Sequence, residues 1–248
     1  MLTDYDLAHP IEGEARRHRA GGGIAFEGSD LGATLYGMTA WGTLSRDTVG
    51  FTLDWQASDR LSFGVSGETF SRQAPLRALR YGITADSLSA AARWRRNEAT
   101  SISVAADWLS FSDGNDGIST AIVGQQQVWA GAHTDVTGRA GVWYARNSQP
   151  GGPYFSPRSV ISGTAGFTVR QIAWRRYEKV FSHALNADFG FQDQGPFSTH
   201  WIGSVSYEHR WRTDPWWEVY YSVGLDRRVY DGRPEKGIGA RLGFRRRL

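Results

Sequence analysis

The 248-residue sequence predicts an all-β protein made of long antiparallel strands. Apolar and polar residues alternate strictly over segments of roughly 10–14 residues, and short turn motifs separate these segments. One representative segment alternates apolar Val49, Phe51, Leu53 and Trp55 with Gly50, Thr52, Asp54 and Gln56. Because successive side chains of a strand point to opposite faces, each segment has one apolar and one polar face.

A soluble β-sandwich also alternates, but its strands average about 5–6 residues and are shorter than these segments. Aromatic residues gather at the segment ends, as they do in the interfacial girdles of outer-membrane barrels; they are Trp41, Trp55, Trp94, Trp108, Trp211, Trp216 and Trp217. No apolar stretch approaches the ~18 residues of a membrane helix. We therefore predict an antiparallel transmembrane β-barrel of the outer membrane, with residues 1–248 as a single domain.

The connections between segments support this prediction, because long and short ones alternate. With the C-terminus in the periplasm, extracellular connections are predicted at 9–13, 42–47, 72–86, 112–117, 148–158, 193–197 and 231–235. Periplasmic turns are predicted at 28–31, 58–60, 97–99, 130–135, 175–180 and 213–216. If residues 1–9 form a strand, the count is fourteen, an even number as in bacterial barrels. No signal peptide opens the sequence, so we expect Met1 to begin a shortened chain.

The polar face of the segments is expected to line the lumen. Its carboxylates are Asp54, Glu68, Asp107, Asp188, Glu208, Glu218 and Asp226. Its arginines are Arg93, Arg95, Arg139, Arg210, Arg228 and Arg241, and its aromatic residues are Phe70, Trp143 and Tyr220. The carboxylates suit a path for cationic solutes, and the aromatic rings suit stacking on sugars. Two further interpretations stay open: charge pairs that neutralise one another within the wall, and aromatic packing beneath a loop.

The search for catalytic and cofactor motifs predicts a protein that is not an enzyme and uses no cofactor or metal. No spacing resembles a zinc site, and residues 113–117 favour a hairpin turn over a calcium loop. The glycine run 21–23 lies in a predicted strand and indicates a bend or a close backbone approach. His183 and His209 share the parity of the apolar face, which weakens the alternative of a hydrolase with a Ser–His pair. The net charge of +3 is spread along the chain, so no nucleic acid is expected.

Several segments, taken in order, resemble the poly-β-1,6-N-acetyl-D-glucosamine export porins of biofilm-forming Gram-negative bacteria. The matching residues are 4–9, 12–13, 71–79, 82–85, 110–115, 153–157, 175–178, 207–211 and 228–232. The resemblance implies export of the partly de-N-acetylated polymer by passive guidance through an acidic lumen. It also implies a sixteen-stranded barrel preceded by a periplasmic repeat domain that binds the polymer and its deacetylase.

This sequence departs from that family in three respects. It carries no repeat domain, it ends in Leu248 instead of an aromatic residue, and several arginines share the polar parity. We expect a monomer in outer-membrane lipid whose partners are the exopolysaccharide and, through the repeat domain, the periplasmic deacetylase. The alternatives are a porin for another exopolysaccharide or for small solutes, a surface-binding adhesin barrel, and an outer-membrane hydrolase.

Overall fold

The computed structural model describes residues 2–6, 15–230 and 232–246, and these residues form fourteen β-strands and one short helix. The strands are β1 (Leu2–Asp6), β2 (Ala15–Glu27), β3 (Leu31–Gly42), β4 (Arg46–Ser58), β5 (Leu61–Glu68), β6 (Ala85–Arg95), β7 (Thr100–Phe111), β8 (Asp116–Ala130), β9 (Thr134–Asn147), β10 (Ser159–Arg176), β11 (Lys179–Gly195), β12 (His200–Arg212), β13 (Trp217–Tyr230) and β14 (Arg233–Arg246). Helix α1 (Leu76–Arg80) lies between β5 and β6. Over the described ranges, no helix combines the length and the apolarity that crossing a membrane requires.

The strands form one sheet in which each strand neighbours the strands next to it in the chain, from β1 to β14. The predicted count of fourteen is confirmed for the described residues, and over those residues the sheet is not closed between β1 and β14. The connections at 148–158 and 213–216 fall where the sequence predicts them, and the others lie within a few residues of their predicted places. The predicted connection at 9–13 lies outside the described residues.

The apolar face of the strands is the more exposed face, which is the reverse of a water-soluble sheet. In β4, Thr48 is 1% exposed whereas its neighbour Val49 is 57% exposed. Phe51, Trp108 and Leu225 are all exposed as well, so they do not form a dry protein interior. Exposed apolar side chains in this number need an apolar environment, and in lipid the strand ladder satisfies the backbone polar groups.

The seven tryptophans predicted to form girdles are all exposed. Two of them, near strand ends, stack on cross-strand neighbours: Trp55 packs on Phe63 with ring centroids 5.5 Å apart, and Trp41 packs on His18 at 5.8 Å. Such rings have an apolar body and a polar edge, which suits the boundary between hydrocarbon and headgroups. The exposure of these rings agrees with the predicted girdles, and their position at the membrane interfaces stays a prediction.

The chain divides into two compact units. The first contains Met1–Arg95, Ser103–Ile122 and Trp143–Val160, and the second contains Arg96–Ile102, Val123–Val142 and Ile161–Leu248. The first unit holds α1 and two small apolar clusters that pack beneath its connections. Phe70, predicted as a possible aromatic lining of the lumen, is buried in one of these clusters with Ala40 and Leu79. Its positive φ of 46° turns the chain into residues 69–84, so packing beneath a loop is the correct interpretation.

The predicted close approach at the glycine run is also confirmed. A side-chain carbon built on Gly21 would collide with the carbonyl oxygen of Gly37 on β3, and one on Gly23 would collide with that of Leu35. A residue with a side chain therefore cannot replace either glycine without moving β2 away from β3.

Candidate functional site

The polar face of β3–β6, in the first unit, is arranged in rows because each strand pairs in fixed register with the next. One row contains Tyr36, Gly50, Glu68 and Ser87; the next contains Thr34, Thr52, Ser66 and Ser89; the third contains Gly32, Asp54, Gly64 and Ala91. Two carboxylates are thus separated by a row of four hydroxyl side chains. Such a surface offers charge at two levels and hydrogen-bonding groups between them.

Glu68 is held by three donors. Its Oε1 accepts hydrogen bonds from Arg19 Nη2 (2.6 Å) and the Tyr36 hydroxyl (3.0 Å), and its Oε2 accepts one from the backbone N–H of Arg72 (2.9 Å). The Glu68 side chain is only 10% exposed and that of Arg19 only 2%. The ion pair therefore neutralises this carboxylate within the wall.

Asp107, on β7, is held by neutral groups instead. Ser89 Oγ donates to its Oδ1 (2.6 Å) and Ser119 Oγ donates to its Oδ2 (3.2 Å). Ser89 in turn accepts a hydrogen bond from Gln73 Nε2 (3.2 Å). Hydroxyl donors stabilise the carboxylate without cancelling its charge, so Asp107 keeps a negative charge on the polar face.

Asp54 differs from both, because within the part of the chain that the structure describes its side-chain carboxylate makes no hydrogen bond or ion pair. It is exposed, and it lies between Gly32 and Gly64, which have no side chains to cover it. It lines a cavity of about 520 Å³ together with Gln56, Ser62 and Arg93. Of the predicted path carboxylates in the first unit, Asp54 is therefore the accessible one.

In the second unit, the polar face of β11–β14 also forms rows, one of which contains Asp188, Ser204, Asp226 and Gly237. Arg139 binds Asp188 through two hydrogen bonds, and Ser204 Oγ donates a third (3.2 Å). Asp226 pairs with Arg228, whose Nε lies 2.8 Å from Oδ2. Both carboxylates are matched by arginines that sequence parity places on the same face.

Glu208 and Glu218 share one arginine. Arg210 Nη2 lies 2.8 Å from Glu208 Oε1, and Arg210 Nη1 lies 3.4 Å from Oε1 of Glu218, a residue only 2% exposed. The guanidinium carbon of Arg210 also lies 5.8 Å from the ring centroid of Tyr220, within range of a cation–π contact. Tyr220 thus belongs to this charge cluster.

Trp143, the second predicted aromatic lining residue, is half-buried on β9, whereas its neighbours Val142 and Tyr144 are exposed. This alternation agrees with the predicted parity. A role for Trp143 in stacking on a sugar ring stays a prediction.

Sequence reasoning missed Arg17 as an important residue of the polar face. Arg17 is 3% exposed, and its guanidinium donates to the carbonyl oxygens of Ser71 (3.2 Å), Arg72 (2.8 Å) and Ala74 (3.4 Å). The alternation of Arg17 and Arg19 on one face of β2 was the available signal, but it does not reveal that a distant loop supplies the acceptors.

Tyr154, in the connection between β9 and β10, organises the neighbouring loops. Its ring stacks on Phe111 (4.7 Å), and its hydroxyl accepts from Asn115 Nδ2 (2.9 Å) and donates to the Asp113 carboxylate (3.2 Å). Burial is the main reason that its pKa rises to about 12; Asp113 adds to this rise, and the hydrogen bond from Asn115 opposes it. The loop is therefore tied to the predicted hairpin turn at 113–117 by a protonated phenol.

The apolar face carries the two histidines predicted there. His183 Nδ1 lies 2.9 Å from the Tyr207 hydroxyl, and His209 pairs with Tyr221 across β12 and β13. Elsewhere, Ser198 Oγ lies 3.2 Å from His200 Nε2, but no described carboxylate contacts that imidazole to complete a triad. Across the described residues, no group of three or more His, Cys, Asp or Glu side chains is placed to hold a metal ion.

Long antiparallel strands in chain order, an exposed apolar face, aromatic girdles and a shielded polar face together define an outer-membrane β-barrel. Residues 3–248 match the family model of the PgaA membrane beta barrel domain, and the chain belongs to this family. The resemblance seen in the sequence and the outer-membrane location are thereby confirmed.

Two curated relatives, both named "Poly-beta-1,6-N-acetyl-D-glucosamine export protein", come from Escherichia coli (strain K12) and Escherichia coli O157:H7. Each is 25% identical to this chain over 181 residues, which are 73% of this chain and 22% of the relative. The chain therefore spans less than a quarter of the length of these relatives. A solved structure titled "Bacterial polysaccharide outer membrane secretin" superimposes with a TM-score of 0.88 at 21% identity, covering 95% of this chain and 81% of that one. The superposition confirms the barrel fold.

Proposed function

We propose that this barrel exports an exopolysaccharide that carries free amines, namely partly de-N-acetylated poly-β-1,6-N-acetyl-D-glucosamine. The names of the curated relatives, which give poly-beta-1,6-N-acetyl-D-glucosamine as the exported polymer, support the proposal. The observation that carries it is Asp54, an accessible carboxylate without a protein partner in the described part of the chain, placed between two glycines on the polar face.

An ammonium group of a glucosamine unit fits the chemistry of Asp54. Charge-assisted hydrogen bonds between an ammonium and a carboxylate are stronger than neutral ones. The missing side chains at Gly32 and Gly64 leave room on both sides of the carboxylate for a sugar ring. The cavity of about 520 Å³ around Asp54 has the dimensions of a small-molecule site.

The row of Thr34, Thr52, Ser66 and Ser89 gives the polymer hydroxyls weaker and exchangeable partners. Conduction requires several sites that bind well enough to admit the solute and weakly enough to release it. Asp107, whose charge is not cancelled by an arginine, supplies the next attractive group beyond this row.

The remaining carboxylates have a different role in this proposal. Glu68, Asp188, Glu208, Glu218 and Asp226 all lie against arginines, so they fix the wall and moderate its charge. Guidance then depends on Asp54 and Asp107. Passage requires no catalytic residue; a periplasmic deacetylase prepares the polymer, and the barrel acts as a monomer in outer-membrane lipid.

The test is polymer secretion by cells that produce the full-length protein with Asp54→Asn, Asp107→Asn or both. We expect secretion to fall with each substitution and to fall several-fold with both, while the barrel still shows heat-modifiable migration on gels. Asp47→Asn is the matched control, because Asp47 lies on the same strand as Asp54 at the opposite parity, where Thr39 Oγ1 donates to it (3.0 Å). Unchanged secretion by the double variant would refute carboxylate guidance.

A further inference from the structure

Residues 69–84, here called the helical loop, lie across the polar face. Leu79 of α1 packs against Ala40 of β3, and Ala40 shares the polar parity of Tyr36 and pairs with Arg19 on β2. Arg17, on the same face of β2, donates to three backbone carbonyls of the loop. The loop therefore covers a part of the surface that a polymer would have to follow.

Packing gives the helical loop a defined conformation. Ala78 and Leu79 of α1 are almost fully buried, one in each of the two apolar clusters of the first unit. The backbone N–H of Ser71 donates to Ala85 O (2.7 Å), and that of Phe70 donates to Asp86 Oδ1 (3.0 Å). A five-residue helix has little stability of its own, so these contacts and Arg17 hold it in place.

The loop is hydrogen-bonded to one of the predicted path carboxylates directly and to a second one through a serine. The N–H of Arg72 donates to Glu68 Oε2 (2.9 Å). Gln73 Nε2 donates to Ser89 Oγ (3.2 Å), which donates to Asp107 Oδ1 (2.6 Å). Gln73 thus uses a hydroxyl group of the proposed polymer path, and Arg72 ties the loop to the wall.

We infer that the helical loop is a plug latched by Arg17, and that an amine-bearing polymer opens it by competing for the Ser89–Asp107 pair. An ammonium that donates to Asp107 displaces the Ser89 hydroxyl from this carboxylate, and the hydrogen bond from Gln73 to that hydroxyl is lost with it. The ligand shifts the equilibrium because its sites on these acceptors are accessible only when the loop has moved. Opening by polymer rests on the proposed function, whereas the latch does not depend on it.

The latch is tested by ion conductance of the full-length protein in planar lipid bilayers without polysaccharide. We expect low conductance for the wild-type protein and several-fold higher conductance when residues 71–83 are replaced by a short Gly-Ser linker. Arg17→Met is expected to switch between the two levels, and Arg17→Lys to open less often, because one ammonium cannot reproduce a guanidinium fork. Arg16→Met is the control, since Arg16 is exposed on the opposite face of β2.

Two results would overturn the latch. If the loop-shortened protein conducts like the wild type, the helical loop does not obstruct the path. If Arg17→Lys and Arg17→Met both stay closed as firmly as the wild type, Arg17 does not hold the loop. Heat-modifiable migration shows which variants have assembled, and Arg17→Lys keeps the test available should Arg17→Met fail to assemble.

Opening by polymer is tested with chitosan oligosaccharides, which carry amines, and with their N-acetylated chitin counterparts. We expect only the chitosan oligosaccharides to raise the open time of the wild-type channel, and neither to raise that of the loop-shortened channel. Blockage of the wild-type channel by chitosan oligosaccharides without any increase in opening would contradict release by competition. Conductance tests the position of the loop, and secretion tests polymer export. A negative result in one experiment therefore does not decide the other.

Discussion

Arg139 holds both carboxylate oxygens of Asp188: its Nε lies 2.7 Å from Oδ1 and its Nη2 lies 2.6 Å from Oδ2. The third guanidinium nitrogen, Nη1, donates to Thr168 Oγ1 (2.7 Å), and that hydroxyl donates to Asn186 Oδ1 (2.7 Å). One arginine on β9 thereby links side chains of β10 and β11 within the second unit. The two side chains are about a quarter exposed, so water reaches the charge pair that links these strands.

We predict that Asp188→Asn destabilises the barrel by about 1.5–2 kcal/mol, the lower part of the range for hydrogen bonds to charged groups. Unfolding in urea from lipid vesicles measures the effect. The double variant Arg139→Gln, Asp188→Asn should recover part of the loss, because it leaves no unpaired charge. Asp135→Asn, which loses only a long hydrogen bond from Gln127 (3.4 Å), is the control. If the double variant loses more stability than the two single variants lose together, the result would contradict the pairing.

Tyr154 should make the loop cluster sensitive to alkaline pH. The phenol has a pKa of 10.0 when unperturbed, and burial raises the pKa of Tyr154 to about 12 in the folded loop. The stabilisation is fully present below pH 10 and is lost as pH rises towards about 12, since the unfolded form ionises first. The tyrosinate absorbance of the wild type minus that of Tyr154→Phe should rise only as the pH approaches about 12. A difference curve centred near pH 10 would show that the ring is not buried.

A charged side chain on the exposed apolar face should destabilise the barrel. Phe51 lies mid-strand on the apolar face of β4, and Thr52 is its neighbour on the polar face. We expect Phe51→Lys to cost about 2–4 kcal/mol, as lysine does at the bilayer midplane of such barrels. Thr52→Lys should cost much less. The yield of folded, heat-modifiable barrel measures both, and equal yields would contradict the assignment of the faces.

The space beside Asp54 offers a steric test of the proposed path. A side-chain carbon at Gly64 would lie 3.2 Å from Asp54 Oδ1, so Gly64→Val covers the carboxylate without changing its charge. We expect polymer secretion to fall several-fold while the barrel still assembles. Ala90→Val is the control, because Ala90 pairs with Val65 on the exposed apolar face and takes no part in the proposed path. Normal secretion by the Gly64 variant would show that the polymer does not use this side of Asp54.

The strands and turns could be predicted from the sequence because alternation is a local property. Parity alone assigns Val49 and Thr48 to opposite faces, and the turn after Ser58 is marked by Asp59 and Arg60. The faces follow from the same pattern, since lipid selects apolar residues at every second position.

The partners within the polar face could not be predicted from the sequence. Arg139 and Asp188 are 49 residues apart, and only the strand order and register bring them together. Helix α1 is too short to show a helical period, and its stability comes from the burial of Ala78 and Leu79. Parity also places Phe70 with the lining residues, although a positive φ turns its ring into the loop core. Parity therefore identifies which carboxylates lie on the polar face. It does not show that, in the described residues, Asp54 alone among these seven carboxylates is left accessible and unpaired.

Each strand pairs only with its neighbours in the chain, and this simple order has an evolutionary consequence. Insertion or loss of one complete hairpin keeps every other strand in its original direction and every other side chain on its original side. During evolution the number of strands can therefore change in steps of two, while the remaining strands need no compensating substitutions.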